Sequence, residues 1–375
     1  MVPPPARAAL WLVVSSRQPG GMLVRKPDAA NGVAFGVGLA GADAAELGVT
    51  VTAGEPHAAS SRVVTHPAPM SARVRTDGKV TSPRIAERSR LSRYRCEDNP
   101  RMATRSALRV ARLGPVHAGQ LAALIDREPV NNVYLRSELR LGFEAGDWWG
   151  AFEENELTSV VLGWSLVVPY IPDLETAAPL AQALAASAQP RMIVGHRASV
   201  MALHNAFRPP RPARELRDPQ PLMTLDRGDL QGTPSPDVRL SVRSDLEGLI
   251  VAAARMHREE MGIDPLAVDA PAWRMRMLSL IERRWSWLWM RDHEVLFKAE
   301  LSAWTPEVVQ IQGVYTAPKY RGQGIARAGL AAVCASVFKD VPRCSLYVNQ
   351  YNVIAQRVYE RLGFKQTDVF ATVMY

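Results

Sequence analysis

The sequence predicts an α/β (α+β) protein in which one series of strands and helices is followed by a second series of similar order. Three observations carry this. Short alternating or β-branched runs take turns with stretches of 3.6-residue periodicity. The order restarts about 130 residues on, where Val238-Arg-Leu-Ser-Val242 alternates as Leu108-Arg-Val-Ala-Arg-Leu113 does. A glycine-containing turn, Arg321-Gly322-Gln323-Gly324-Ile325-Ala326, joins a strand-like run at 308–315 to a helical stretch.

A chain of 375 residues accommodates two domains and an extension. The extension spans 1–103. It mixes Pro, Ala, Arg, Gly and Ser without sustained period and reads as disordered. Met102 stands just before the first patterned segment and is a candidate translation start. The first domain is expected over 104–230. After the opening strand come helices at Ala118–Ile125 and 131–141. Strands at 148–152 and 157–168 flank a Glu153-Glu154-Asn155-Glu156 turn. A helix at 175–186, a strand at 191–194, a helix at 199–207 and a strand at 221–225 follow.

The second domain is expected over 237–375. Ser244 and Glu247 fit a capping box for a helix ending at Gly262. Asp269 and Pro271 suit the start of the next helix, which reaches Arg284. Trp285, Trp287 and Trp289 alternate on one strand face, as a packed sheet face requires. Asp292-His293-Glu294 turns into a strand at 295–304. Past the glycine turn, Leu330, Val333, Cys334 and Val337 form an i, i+3, i+4, i+7 stripe.

Charge and composition exclude several function classes. The formal net charge of +8 is concentrated at the start: residues 1–101 hold 14 basic against 8 acidic residues. The remainder is close to neutral, so nucleic-acid binding by the folded part is not expected. The three cysteines, Cys96, Cys334 and Cys344, are too few and scattered for a disulfide framework or a zinc site. The histidines show no H-E-x-x-H spacing, and no metal is expected. No apolar run approaches the ~18 residues of a transmembrane helix. A cytoplasmic protein without a membrane partner is the expectation.

The glycine turn carries the chemistry. At a strand-to-helix junction, several backbone N–H groups can aim at one phosphate, and the helix dipole favours the anion. Gly322 and Gly324 let phosphate oxygens approach the main chain. The G-x-x-x-x-G-K-[ST] string is absent. The dinucleotide fingerprint fails as well, since Arg327 fills its third glycine position.

Downstream lies Asn352-Val-Ile-Ala355-Gln-Arg-Val-Tyr359-Glu-Arg-Leu-Gly363-Phe364. R-x-x-G-x-A followed by N-x-x-A-x-x-x-Y-x-x-x-G-F resembles the two acetyl-CoA motifs of the GNAT superfamily of N-acetyltransferases. Glu259-Glu260-Met-Gly262, the run Val295-Leu-Phe-Lys298-Ala-Glu300 and the terminal Phe370-Ala-Thr-Val-Met are similar to a tandem-GNAT, DUF4081-containing actinobacterial group. The resemblance implies two tandem GNAT-like domains, each a central mixed, mostly antiparallel sheet flanked by helices. The first is degenerate, of DUF4081 type: its Gly195-His-Arg-Ala-Ser199 is matched to the glycine turn and offers no amide cradle. The second is catalytic.

The resemblance also implies acetyl-CoA as co-substrate and acetyl transfer to a primary amine by direct attack in a ternary complex. The acceptor class stays open among a small molecule, a peptide N-terminus and a lysine, and so does homodimerisation. Val314, Tyr315 and Thr316 would line the pantetheine arm. Arg321, Gly322, Gln323, Gly324, Ile325 and Ala326 would hold the pyrophosphate. Asn352 and Ala355 would meet the cofactor from the last helix. Tyr359 matches the acid that protonates the departing thiolate. Gln310 occupies the position where many relatives carry a Glu base, which leaves Glu300, Glu260 and Glu259 as alternatives. A non-catalytic acyl-CoA sensor is the competing reading, kept alive by Gln310.

Overall fold

The computed structural model describes residues 108–143, 146–187, 189–207 and 212–375. The expectations for 1–103, including Met102, lie outside the described residues. The first half runs β1 (Leu108–Arg112), α1 (Ala118–Ile125), α2 (Val133–Leu139), β2 (Asp147–Glu153), β3 (Glu156–Gly163), β4 (Leu166–Tyr170), α3 (Ala177–Ser187), β5 (Met192–His196), α4 (Arg197–Ala206) and β6 (Glu215–Asp226). The second half repeats that order: β7 (Val238–Leu240), α5 (Leu246–Met261), α6 (Pro265–Glu282), β8 (Ser286–Arg291), β9 (Glu294–Trp304), β10 (Val309–Thr316), α7 (Ile325–Val337), β11 (Arg343–Tyr347), α8 (Val353–Glu360) and β12 (Lys365–Met374).

Local chemistry sets most boundaries. The turn between β8 and β9 has Asp292 and His293 both at positive φ, 49° and 63°, the geometry of a two-residue hairpin. Helix α5 ends at Gly262, left-handed with φ 67°. Some expectations change. The run at 157–168 is two strands, β3 and β4, divided at Trp164-Ser165. Helix α6 has an extra first turn from Pro265 capped by Asp264, and after a kink Asp269 caps the longer part as expected, accepting from Ala272 N–H at 3.0 Å. The Ser244/Glu247 capping box is replaced by Asp245, whose carboxylate takes the Val242 N–H at 2.8 Å and pairs with Arg239 at 2.6 Å. Trp287 is buried, and Trp285 and Trp289 pack against the same core.

The twelve strands form one sheet, ordered β1-β2-β3-β4-β5-β12-β6-β11-β10-β9-β8-β7. Two pairs are parallel, β4 with β5 and β10 with β11; the others are antiparallel. The closing strands are exchanged. β6, from the first half, pairs with β11, while β12, from the second, pairs with β5, and the two meet each other at the centre. β6 carries Pro219 and Pro221, which cannot donate to a ladder. The pairing with β12 shifts register between Phe370 and Thr372, opposite this stretch. The strand expected at 221–225 is the part of β6 that follows these prolines, and β6 extends back through them to Glu215.

Helices cover both faces of the second half. α7 lies over Phe297, Leu301, Val309 and Ile311. α5 and α6 pack on Leu288 and Val295. The first half is built likewise, with α1 and α2 on one core and α3 and α4 on the other.

Candidate active site

The site sits where β10 and β11 part. The two strands pair in parallel only at Val309↔Cys344 and Gln310↔Ser345. From Ile311 onward the edge of β10 that faces β11 is unpaired, which leaves a wedge with free backbone groups on one wall. β10 is also bulged against β9. Gln312 lies opposite Glu300 and Tyr315 opposite Lys298, so four residues face three. Gly313 takes up the irregularity at φ 60°, and a Cβ there would sit 3.0 Å from Lys298 Nζ. The bulge takes Val314 out of the β9 ladder.

Lys298 and Glu300 are adjacent on one face of β9 and nearly sealed from solvent, at 0% and 2% exposure. Lys298 Nζ donates to Glu300 Oε1 at 2.7 Å and to the Gly313 carbonyl at 3.1 Å. This buried pair pins the bulge. A lysine and a glutamate two apart in an otherwise apolar strand were the sequence signal for it. Gln310 is buried, and its side-chain oxygen accepts from Ser302 Oγ at 2.9 Å. It is part of the sheet interior.

At the end of β10 the chain turns through Pro318 to Tyr320 into α7. Gly322 and Gly324 are left-handed, φ 75° and 79°, and nothing lies within 4 Å of a Cβ built on either. The amides of Gly322, Gln323, Gly324, Ile325 and Ala326 find no acceptor among the described residues, as expected for a helix start that no side chain caps. Gln323 turns its side chain back to the Lys319 carbonyl at 3.1 Å. Arg321 donates to the Thr316 carbonyl at 2.9 Å and pairs with Glu259 at 2.6 Å. Tyr315 points to the same carboxylate, its hydroxyl 3.4 Å away. Thr316 Oγ1 is buried without a partner. This open, donor-lined cradle, with one orphaned hydroxyl beside it, fits the pyrophosphate of an acyl-CoA.

From the other side α8 enters the wedge. Asn352 caps it, its Oδ1 accepting from Ala355 N–H at 3.2 Å, so only the Asn352 amide nitrogen remains for a ligand. Ala355 packs on the core. Tyr359 is buried beside Phe364, ring centroids 6.0 Å apart, with no hydrogen bond to its hydroxyl among the described residues. Burial pushes its ionisation well above the ordinary phenol range, and the nearby Glu260 carboxylate pushes the same way. Glu260 ends α5. Protein surrounds its carboxyl on most sides although water still reaches it, as on the wall of an open cleft. That surrounding raises its ionisation; Lys298 and Arg217 pull the other way, and Glu259 and Glu300 push further up.

The structure thus brings Tyr359 and Glu260 together electrostatically, whereas Glu300 is committed to Lys298 and Glu259 to Arg321. Sequence reading missed several residues here. Arg217 of β6 donates to the Glu260 carbonyl at 2.7 Å. Gln220 of β6 bonds Asn349 and Thr372, at 2.7 and 2.6 Å, and so steadies the loop before α8. Tyr347 ends β11, its ionisation pushed up to about 12 by burial, with Glu260 adding. None of these belongs to a local motif.

The first half has the same wedge without the cradle. β4 and β5 pair only at Leu166↔Met192 and Val167↔Ile193. The counterpart of the glycine turn is the β4–α3 connection, Ile171 to Thr176, not Gly195 to Ser199, which corresponds to the β11–α8 junction. Asp173 caps this turn through Glu175 N–H at 3.2 Å, so two carboxylates stand where phosphate would bind. Ser199 of α4 takes the Ile171 N–H at 2.9 Å and closes the wedge.

A wedge between parallel strands, a bulge opposite it and an uncapped helix start define a GNAT-type acyl-CoA fold. The family comparison agrees: the acetyltransferase (GNAT) family model matches residues 278–364, and the model of DUF4081, a domain of unknown function, matches 146–249. Among solved structures it is similar to a GNAT-family acetyltransferase from Colwellia psychrerythraea (13% identity, 71% of this chain and 99% of that one, TM-score 0.48). A GCN5-related N-acetyltransferase from Sphaerobacter thermophilus matches at 17% identity over 71% and 95%, with TM-score 0.47. A tandem GNAT protein from the clavulanic acid biosynthesis pathway matches at 13% over 72% and 98%, with TM-score 0.44. No curated protein matches the sequence.

Proposed function

We propose that the second half is an acetyl-CoA-dependent N-acetyltransferase acting on a primary amine, with the first half as its degenerate partner domain. The observation that carries this is the coincidence, at one wedge, of five free amides at 322–326 and a partnerless Tyr359 hydroxyl. Acetyl-CoA supplies an acyl thioester already activated toward amines. The amides of 322–326 and the positive end of α7 hold its diphosphate. Arg321 exchanges part of its pairing with Glu259 for that charge. The free edge of β10 from Ile311 to Thr316 orients the arm by strand-like bonds, and the Val314 N–H, outside the β9 ladder, polarises the acyl oxygen.

Tyr359 keeps its proton at Oη because burial disfavours the phenolate, and it gives that proton to the departing sulfur. Glu260 is the base we favour. The surrounding protein raises its ionisation above that of an ordinary carboxylate, which makes it a better proton acceptor, and water reaches it. Glu300 is ion-paired with Lys298 at 2.7 Å and serves the bulge. The acceptor amine approaches from the side of Tyr347 and Glu260.

Tyr359→Phe tests the reading. Turnover, followed by thiol release, is expected to fall about a hundredfold or more while acetyl-CoA affinity is retained. Retained turnover removes Tyr359 from the chemistry. A wild-type protein that binds acetyl-CoA but acetylates no amine favours an acyl-CoA sensor.

A further inference from the structure

A buried carboxylate from the first half has no role in the fold described so far. Glu138 lies in α2, is 7% exposed, and its carboxylate makes no hydrogen bond or ion pair among the described residues. Leaving a buried acid unpartnered is costly, and such groups in native proteins usually have a ligand or a proton to satisfy them. Here burial raises its ionisation from 4.5 to about 7, with the Arg283 guanidinium lowering it. Arg283 is itself turned onto the Trp285 ring, 5.1 Å from the centroid.

Glu138 is not remote from the second half's wedge. Its neighbour Ser137 accepts from the Trp304 backbone N–H at 3.1 Å, which ties α2 to the end of β9. Tyr134, one turn earlier on the same helix, packs on one core together with Met261 and Tyr347 of the second half. The charges felt along this surface form a continuous row. Tyr134 senses Glu138, Arg276, Tyr347 and Arg283. Tyr347 senses Glu260, and so does Tyr359. Tyr134 also packs with Val133 against Ala303 of β9 and Val308 just before β10, so α2 lies against the second half beside the end of α5 and the end of β11.

We propose that Glu138 is an acceptor-binding carboxylate that selects amines carrying a second positive charge, the reacting amine lying at Glu260 and Tyr359. This rests on the acetyltransferase reading above. An ammonium or guanidinium is the ligand that satisfies an isolated buried carboxylate, and the faces of Tyr134 and Tyr347 suit the chain between two cationic groups. The charged group that acts on Glu138 is Arg283, the residue that caps the end of α6, with Tyr134 one turn earlier on its own helix; Arg276 of α6 and Tyr347 of β11 act on Tyr134. Diamine selection should strengthen as pH rises through about 7, where Glu138 becomes charged.

The test uses the full chain with linear α,ω-diamines and alkyl monoamines of matched length, followed by thiol release, with acetyl-CoA binding measured separately by calorimetry. Diamines are expected to be preferred in kcat/KM by about tenfold or more, chiefly through KM. Glu138→Gln should bring diamines down to the monoamine level while still binding acetyl-CoA, which shows that it is folded. Glu138→Asp should restore part of the preference. Equal kcat/KM for both classes in the wild type overturns the proposal. So does a preference that survives Glu138→Gln, or acetyl-CoA binding with no turnover of any diamine. Failure to bind acetyl-CoA at all overturns the underlying reading instead.

Discussion

The two halves share an element order and a parted pair of parallel strands, yet only one keeps the gap open. Between β4 and β5 the space is taken by α4: Ser199 bonds the Ile171 amide, and the turn into α3 carries Asp173 and Glu175. Between β10 and β11 the strand edge is bare, the turn carries two left-handed glycines, and α8 packs chiefly on α7. The same backbone plan is thus either a filled core or a ligand site, depending on a few side chains at the strand-to-helix turn. The degenerate half has kept other uses. Its strand β6 completes the second half's sheet, and its Arg217 fixes the end of α5.

Making the second half resemble the first should have the largest effect. Gly324→Val places a β-branched residue at φ 79° and fills the open side of the cradle. Acetyl-CoA affinity by calorimetry is expected to drop about a hundredfold, from strain of roughly 1–3 kcal/mol together with steric exclusion. An unchanged affinity would detach this turn from the cofactor.

Next is the bulge, for which the first half has no ion pair of this kind on the corresponding strand, β3. Lys298→Met strands Glu300 as an unpaired buried charge and should cost about 3–5 kcal/mol in denaturant unfolding. The double variant Lys298→Met/Glu300→Leu should recover much of that stability. If it remains as unstable as the single variant, the bulge depends on the charges themselves.

Third comes the pH dependence of the first half's odd carboxylate. Its native ionisation near 7 lies above the ordinary 4.5, so the folded state binds the proton more tightly. Stability linked to Glu138 is therefore complete below pH 4.5 and is lost as pH rises to 7, by up to about 3 kcal/mol. Glu138→Gln should match the wild type in acid and become the more stable protein above neutrality, as read from melting curves across pH.

The smallest effect is the attempt to reopen the first half. Ser199→Ala leaves the Ile171 N–H without its acceptor, at a cost of about 1–2 kcal/mol. It should create no acetyl-CoA site, because no amide cradle stands at Ile171 to Thr176. Two acetyl-CoA equivalents bound per chain would contradict this.

Much of the site was legible locally. A helix start with two glycines, a capping Asn352 and a Tyr359 on the inward face of α8 are short-range facts, set by periodicity and by which residues tolerate positive φ. So were the repeat of element order and the helices flanking each half. The choice among Glu259, Glu260 and Glu300 was not legible, because it turns on tertiary contacts: Arg321 engages Glu259 from 62 residues away, and the bulge at Gly313 seats Lys298 against Glu300. The counterpart of the glycine turn in the first half was misplaced for a related reason. Without the strand pairing, Gly195 looked like the equivalent glycine, and only the parallel register of β4 and β5 identifies Ile171 to Thr176.

By itself, then, the sequence determined the two series of strands and helices, the amide-lined turn and the tyrosine, since each depends on neighbours within a few residues. Tertiary structure alone decided that the closing strands β6 and β12 are exchanged, that one wedge is filled and the other open, and that α2 of one half packs on β9 of the other. Those outcomes are settled by pairing and burial between segments a hundred or so residues apart, where backbone hydrogen bonds and desolvation of charge, not local propensity, set the energy.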